Sequence, residues 1–257
     1  MKAYSLKKLL QRITSKGIFR LSFEKSVVSG LCYLFTAVSA FFLVKNGDIA
    51  ESLPSVGSAL LLVIPVIVES VFHWEMPFGL YVYVCIHCLG PLLGQSYRLF
   101  YITSWYDKLL HASSGAIFML TGYKLIGVIG KTDDIEYRLK FAFGICFSIT
   151  IAVLWEFSEY GVDLLFGCDN QHSAFISAVH THLFGNGSGN LSHFEGIEQV
   201  VVDGVELPGY IDIGLIDTMD DMLFETIGAI IPVAILTLDR KTGLFSHTQS
   251  NDKKEKS

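Results

Sequence analysis

The chain has 257 residues, of which 17% are charged, with a formal net charge of −6 and a mean hydropathy of +0.47. Soluble domains are usually about a quarter charged, whereas here Ser26–Val44, Pro77–Tyr97 and Phe141–Trp155 carry no charge at all. Uncharged apolar runs of about 20 residues have the length of a helix that crosses a lipid bilayer. The composition therefore excludes a soluble cytoplasmic enzyme, a nucleic-acid-binding protein and a disordered chain.

Residues 1–25 form a basic amphipathic segment. Apolar side chains fall on one side of its helical projection and basic ones on the other: Leu6, Leu9, Leu10, Ile13 and Leu21 against Lys7, Lys8, Arg12 and Lys16. This pattern is typical of a helix that lies on an anionic inner leaflet. We therefore expect membrane lipids to be its partners.

Six apolar stretches follow, and each is interpreted as a transmembrane helix because backbone polar groups in lipid must be satisfied within the segment. They are about Ser26–Val44, Val56–Phe72, Pro77–Tyr97, Asp107–Ile129, Lys140–Phe166 and Asp217–Leu238. The sequence thus predicts an all-α polytopic membrane helix bundle, with a transmembrane domain over residues 26–238. A long loop at 167–215 interrupts it, and a polar tail at 239–257 is expected to be disordered.

The basic residues predict the orientation of the bundle. Of the 19 Lys and Arg residues, 16 lie in 1–25, 124–140 and 240–256, which fall on one side of a six-helix topology. The positive-inside rule then places both termini in the cytoplasm. Between residues 141 and 239 there are 14 Asp and Glu and no Lys or Arg, so we expect the loop 167–215 to be extracytoplasmic.

Ionisable residues gather at the predicted outer ends of three spans. Asp107 and His111 lie one turn apart in the fourth span, Glu156 and Glu159 share a face of the fifth, and Asp217, Asp221 and Glu225 form a stripe on the sixth. A charged side chain in a span costs about 3 kcal/mol on insertion scales, so its presence suggests a function. Capping of helix N-termini would explain only Asp107 and Asp217.

Several carboxylates in one poorly solvated site must share protons or hold a cation. We predict a divalent metal site whose ligands are carboxylate oxygens and one imidazole: Asp107, His111, Glu156, Glu159, Asp217 and Asp221. Among them His111, Asp107 and Glu156 are the predicted catalytic residues. A metal-bound water, or His111 as general base, would act on the head group of a lipid or cell-wall precursor.

The loop carries four histidines, a glycine-rich stretch and a strand-like run. Gln199–Leu207 is expected to be extended, with Pro208-Gly209 as a turn. His180-Thr181-His182 would suit a metal, but flexible surface histidines are the commoner explanation of such a pattern.

Three motifs together resemble a known family. Trp105-Tyr106-Asp107-Lys108-Leu109-Leu110-His111, Trp155-Glu156-Phe157-Ser158-Glu159 and Asp217-Thr218-Met219-Asp220-Asp221-Met222 look like those of the YjdF-like bacterial inner-membrane proteins. These are similar in turn to the VanZ-like superfamily with its Asp-Lys-x-x-His motif. The resemblance runs from about residue 77 to 235. It implies a helical bundle in the bacterial plasma membrane and no agreed reaction.

Two other functions stay open at this point. A cation- or proton-coupled transporter would use helices broken at Pro65 and at Gly90-Pro91. A non-catalytic membrane scaffold would use the polar contacts between spans only to fix their packing.

Overall fold

The computed structural model describes residues 21–71, 75–132, 134–184 and 189–242. Its helices are α1 (Phe23–Lys45), α2 (Ile49–Leu61), α3 (Val63–Val71), α4 (Phe78–Cys88), α5 (Leu99–Ile102), α6 (Tyr106–Gly130), α7 (Tyr137–Phe166) and α8 (Leu215–Thr242). A π-helical turn, Leu92–Ser96, lies between α4 and α5. Most of the predicted amphipathic segment, and the polar tail beyond Thr242, lie outside the described residues.

Five helical stretches of the described chain are long and apolar enough to cross a membrane: Phe23–Lys45, Glu51–Glu69, Tyr106–Gly130, Tyr137–Phe166 and Leu215–Arg240. Phe78–Cys88 is a shorter apolar helix. The prediction of a polytopic membrane helix bundle is therefore confirmed. Large apolar side chains such as Leu31 and Phe41 point away from the protein, as expected of surfaces that face lipid.

The third predicted span is not one continuous helix. After α4 the chain passes through Gly90-Pro91 into the π-helical turn, because proline has no N–H to donate and clashes with the preceding turn. The second span is likewise divided, with Leu62 between α2 and α3.

α6, α7 and α8 pack closely through small residues. A Cβ on Gly115 of α6 would lie 2.0 Å from the Glu225 carbonyl oxygen, and one on Gly228 of α8 would lie 1.9 Å from the Ala112 carbonyl oxygen. A Cβ on Gly144 of α7 would lie 2.6 Å from the Met119 carbonyl oxygen. Backbones approach this closely only where side chains are absent, as is common between membrane helices.

The loop between α7 and α8 folds into three antiparallel ladders. They pair β1 (Ala174–Ile176) with β6 (Tyr210–Asp212), β2 (Ala178–Thr181) with β3 (Ser192–Glu195), and β4 (Val200–Val202) with β5 (Val205–Leu207). The run expected to be one strand is thus a hairpin, which turns at Asp203 and Gly204 with φ values of 49° and 80°. Positive φ at both central residues is the geometry of a tight hairpin turn.

A buried ion pair joins α1 to α3. Lys25 Nζ lies 2.5 Å from Glu69 Oε1 and donates to the Met76 carbonyl oxygen at 2.7 Å. The Met76 backbone N–H donates to the same Glu69 oxygen at 2.8 Å. Glu69 therefore has partners of its own and stands apart from the acidic residues near the loop.

Candidate functional site

The N-termini of α6 and α8 meet the C-terminal half of α7 beneath the loop. His111 Nε2 lies 3.4 Å from Asp221 Oδ2 and 3.8 Å from Asp107 Oδ1. His111 and Asp221 are buried, and Asp107 is partly exposed. The helical spacing that put Asp107 and His111 on one face thus aims both at the stripe on α8.

The loop contributes a residue that the predicted ligand set does not contain. His172 Nδ1 lies 3.2 Å from Asp217 Oδ2, and the imidazole packs edge-on against Phe100 and Tyr101. The hydrogen bond to Asp217 raises the pKa of His172, although partial burial acts against it. We call the six residues at this place the loop-side cluster: Asp107, His111, Glu156, His172, Asp217 and Asp221.

The backbone around His172 is fixed from both sides. Asp163 accepts hydrogen bonds from the backbone N–H groups of Asn170 and Gln171 at 2.8 and 3.0 Å. Gln171 Nε2 donates to Thr218 Oγ1 on α8 at 2.8 Å. Gly214, at φ 94°, packs closely against Gln171: a Cβ added to Gly214 would lie only 2.4 Å from the Cβ of Gln171. Asp163 thus holds the loop instead of joining the cluster.

The cluster contains two triads whose ligand atoms could hold a metal ion. One comprises Asp107, His111 and Asp221, the other Asp107, His172 and Asp217, and within each triad the ligand atoms lie within 4.8 Å of one another. Two ligand atoms of a tetrahedral zinc ion lie about 3.4 Å apart, since each bond is about 2.1 Å long. Carboxylate oxygens with imidazole nitrogens suit divalent cations such as zinc, manganese and iron.

Three buried polar atoms of the cluster have no hydrogen-bond partner in the described part of the chain. They are Asp221 Oδ1, Glu156 Oε2 and His172 Nε2. The Asp221 residue is 2% exposed and Glu156 is 5% exposed. Buried polar atoms are normally paired, so each of these three atoms lacks a partner that a cation, a proton or a water could supply.

The six predicted ligands do not all lie in the triads. Asp107, His111, Asp217 and Asp221 belong to them, and Glu156 and Glu159 belong to neither. Both glutamates interact electrostatically with Asp107 and Asp217, and Glu159 Oε1 also accepts a hydrogen bond at 2.8 Å from Trp155 Nε1 on the same helix. No sequence signal marked His172 beyond its position in the loop, six residues after Phe166, where the fifth predicted span ends.

Helix capping does not account for Asp107 or Asp217. The N-cap of α6 is Trp105, with no capping bond from its side chain. At the start of α8 the Ile216 N–H donates to Asp212 Oδ2 at 2.9 Å, so β6 supplies the acceptor. Both carboxylates are thus available to the cluster.

A second polar layer lies deeper in the bundle. Ser148 Oγ donates to Glu225 Oε1 at 2.9 Å, and Ser114 Oγ donates to Glu225 Oε2. Glu225 follows Asp217 by eight residues, which is about 12 Å along α8 at 1.5 Å per residue. The polar stripe of α8 therefore continues inward from the cluster. Lys108 lies to the side, where it pairs with Asp220 at 2.9 Å.

Comparison with known proteins identifies the family. Residues 27–242 match the model of a family described as "Predicted membrane protein (DUF2238)". The chain belongs to this family. No curated protein and no solved structure matches it. Because the match begins in α1 and ends in α8, the loop-side cluster, the three ladders and the Glu225 layer all lie within the DUF2238 region.

Proposed function

We propose that this DUF2238 protein is a membrane enzyme that holds a divalent cation in the loop-side cluster and acts on the head group of a lipid or cell-envelope precursor. The observation that carries the proposal is the pair of buried carboxylate oxygens without partners, Asp221 Oδ1 and Glu156 Oε2. Buried charge requires a counter-charge or a proton. The nearby Lys108 is already paired with Asp220, so a bound cation is the simplest counter-charge for the cluster.

The chemistry follows from the ligand types. A divalent cation lowers the pKa of a bound water and so supplies a nucleophile at neutral pH. His111, buried beside Asp221, is the residue proposed to hold or move the proton. Asp107 and Glu156 would orient these groups.

The surroundings of the cluster suit a substrate with a lipid tail. Tyr101 and Ile102 at the end of α5, and Trp105 immediately before α6, are exposed, with Trp105 60% accessible. Amphipathic aromatic residues such as Tyr101 and Trp105 gather where a membrane meets water. Leu164, Leu165 and Phe166 are exposed at the adjoining end of α7. A head group at this level would reach the cluster while its tail stays in lipid.

The proposal extends to location and kinship. The distribution of Lys and Arg supports cytoplasmic termini, with the cluster on the outer side of a bacterial inner membrane. Asp107-Lys108-x-x-His111 supports kinship with the YjdF-like and VanZ-like proteins.

Metal analysis of the purified protein tests the proposal. We expect at least one divalent cation per wild-type chain and its loss in the triple variant Asp107→Asn, His111→Ala, Glu156→Gln. The control is Asp220→Asn, which removes an acid of α8 that lies next to Asp221 in the chain and outside both triads. Metal-free wild type would contradict the proposal. The proposal would also be contradicted if the triple variant, expressed in cells that lack the native protein, fully restored the wild-type phenotype.

The substrate class has its own test. Envelope lipids extracted from cells are incubated with wild type and with His111→Ala in nanodiscs, and mass spectrometry compares the products. A product formed only by wild type is expected, and identical lipid profiles would count against an enzyme.

A cation- or proton-coupled transporter is the second candidate, and the Glu225 layer favours it. Ser114, Ser148 and Glu225 extend the polar residues about 12 Å inward from the level of Asp217. Ion-dependent flux into proteoliposomes, abolished by Glu225→Gln, would support transport over enzymatic chemistry. A scaffold would instead show lower thermal stability in every acid variant and no loss of a specific activity.

A further inference from the structure

We propose that the loop-side cluster is a two-ion site in which Asp107 bridges two divalent cations and His172 completes the second position. This inference rests on the proposed function, because it takes the cluster to bind cations. It goes further in giving the number of ions, the bridging ligand and the contribution of the loop.

The two triads share a single residue. Asp107 belongs to both, while His111 and Asp221 belong to one and His172 and Asp217 to the other. An ionised carboxylate has two oxygens and about four lone-pair positions, so it can ligate two ions at once. Bridged pairs of ions about 3.5–4 Å apart are a recurrent arrangement in hydrolytic enzymes.

Charge balance favours two ions over one. The triads hold three carboxylates, those of Asp107, Asp217 and Asp221, and Glu156 and Glu159 both interact electrostatically with Asp107 and Asp217. One divalent cation would leave three of these five negative charges uncompensated in a largely buried place, whereas two cations would leave one. Lys108 does not change this balance because Asp220 neutralises it.

A residue of each triad carries an unpartnered atom, Asp221 Oδ1 in the first and His172 Nε2 in the second. His172 Nε2 lies across the ring from the Nδ1 that contacts Asp217, so a cation shared with Asp217 would bind His172 through Nδ1. Glu156 Oε2 lies on the third helix of the site. All three atoms are buried and accept or donate no hydrogen bond within the described residues. With a single ion at the first position, His172 and Asp217 would bind no ion and would contact each other at 3.2 Å.

His172 is held in a conformation that non-glycine residues rarely adopt. Its φ is 41°, in the left-handed region. Such a conformation persists where the surroundings over-determine it, and it is frequent at functional sites. Here the contacts of Asp163 with Asn170 and Gln171, together with the close approach of Gly214, determine it.

Manganese titration of the full-length protein in detergent tests the inference. The protein is stripped with a chelator and carries His180→Ala and His193→Ala, because those two exposed imidazoles lie with their Nδ1 atoms 2.9 Å apart and would bind ions of their own. We expect two Mn²⁺ per chain by equilibrium dialysis. We also expect an electron paramagnetic resonance spectrum with the splitting of an exchange-coupled pair.

Variants at each position separate the two ions. His172→Gln and Asp217→Asn should each retain one Mn²⁺ with the simple six-line spectrum of an isolated ion, and Asp221→Asn should do the same from the other side. The control His182→Gln, at another loop histidine, should keep two coupled ions. Thermal melts of the metal-free variants verify that each is folded, and the independent substitutions at 172 and 217 guard against the failure of either.

The outcomes distinguish the inference from the proposed function. One Mn²⁺ in the parent protein, retained in His172→Gln, overturns the two-ion site and leaves the single-cation proposal standing. Two ions without magnetic coupling overturn the bridging role of Asp107. No bound Mn²⁺, Zn²⁺ or Fe²⁺ in the parent protein overturns both.

Discussion

The close contact of α6 with α8 predicts that Gly228→Ala will damage the fold and the site together. The added Cβ would lie 1.9 Å from the Ala112 carbonyl oxygen, whereas ordinary contact begins near 3.4 Å. The helices must therefore separate by about 1.5 Å, the difference between these distances. Overpacking of this kind costs about 1–3 kcal/mol. Separation also moves Asp221 on α8 away from His111 on α6, which now lie 3.4 Å apart.

Thermal unfolding in detergent and Mn²⁺ affinity measure the two effects. We expect a lower melting temperature for Gly228→Ala and weaker Mn²⁺ binding, by about tenfold for each 1.4 kcal/mol lost at the site. Gly161→Ala on α7 is the matched control, because no atom lies within 4 Å of its added Cβ. It should be neutral or stabilising by up to about 1 kcal/mol. A Gly228→Ala protein that melts and binds Mn²⁺ like wild type would refute the packing argument.

Three further outcomes are expected. In metal-free protein the hydrogen bond to Asp217 raises the pKa of His172, so this pairing stabilises the fold fully below the unfolded pKa of about 6.5 and less as pH rises through the folded pKa. The difference in melting temperature between wild type and His172→Gln should therefore be largest near pH 5.5. A difference that grows toward pH 9 would contradict this. Lys25→Met should cost about 3–5 kcal/mol by leaving Glu69 buried without its partner, and adding Glu69→Met should recover most of that in chemical denaturation. Gly204→Val, at φ 80°, should cost about 1–2 kcal/mol in the hairpin, seen as faster hydrogen exchange in β4 and β5 with unchanged Mn²⁺ binding.

The membrane bundle could be predicted from the sequence because its signal is simple. A lipid-facing helix must be long and free of charge, and Ser26–Val44 or Phe141–Trp155 meet that requirement without reference to any other residue. The third span was instead predicted as one helix over Pro77–Tyr97, and a break at Gly90-Pro91 was expected only for a transporter, although the conformational limits of proline are local. The prediction of one strand over Gln199–Leu207 was wrong, although Asp203-Gly204 between apolar residues is a strong hairpin signal.

The proximity of some residues of the candidate site could be predicted, for a geometric reason. Helical spacing gives the face on which a side chain lies, so Asp107, His111, Asp217 and Asp221 could be grouped from the sequence. Helical spacing does not show which neighbouring group a side chain contacts. Glu159, for example, accepts a hydrogen bond from Trp155 on its own helix. A loop has no periodicity, so the position of His172 depends on hydrogen bonds between residues far apart in the chain.

The β1–β6 ladder divides the loop into two parts with different tolerance to change. Ala174–Ile176 pairs with Tyr210–Asp212, so the chain closes on itself just beyond His172 and just before α8. Residues 177–209 therefore form a loop whose two ends are held together by the β1–β6 ladder. Insertions or deletions within 177–209 need not move His172 or the start of α8. An epitope tag or a cysteine-labelling site placed between β2 and β3 would therefore show on which side of the membrane the loop lies in intact cells, while the residues of the loop-side cluster keep their geometry.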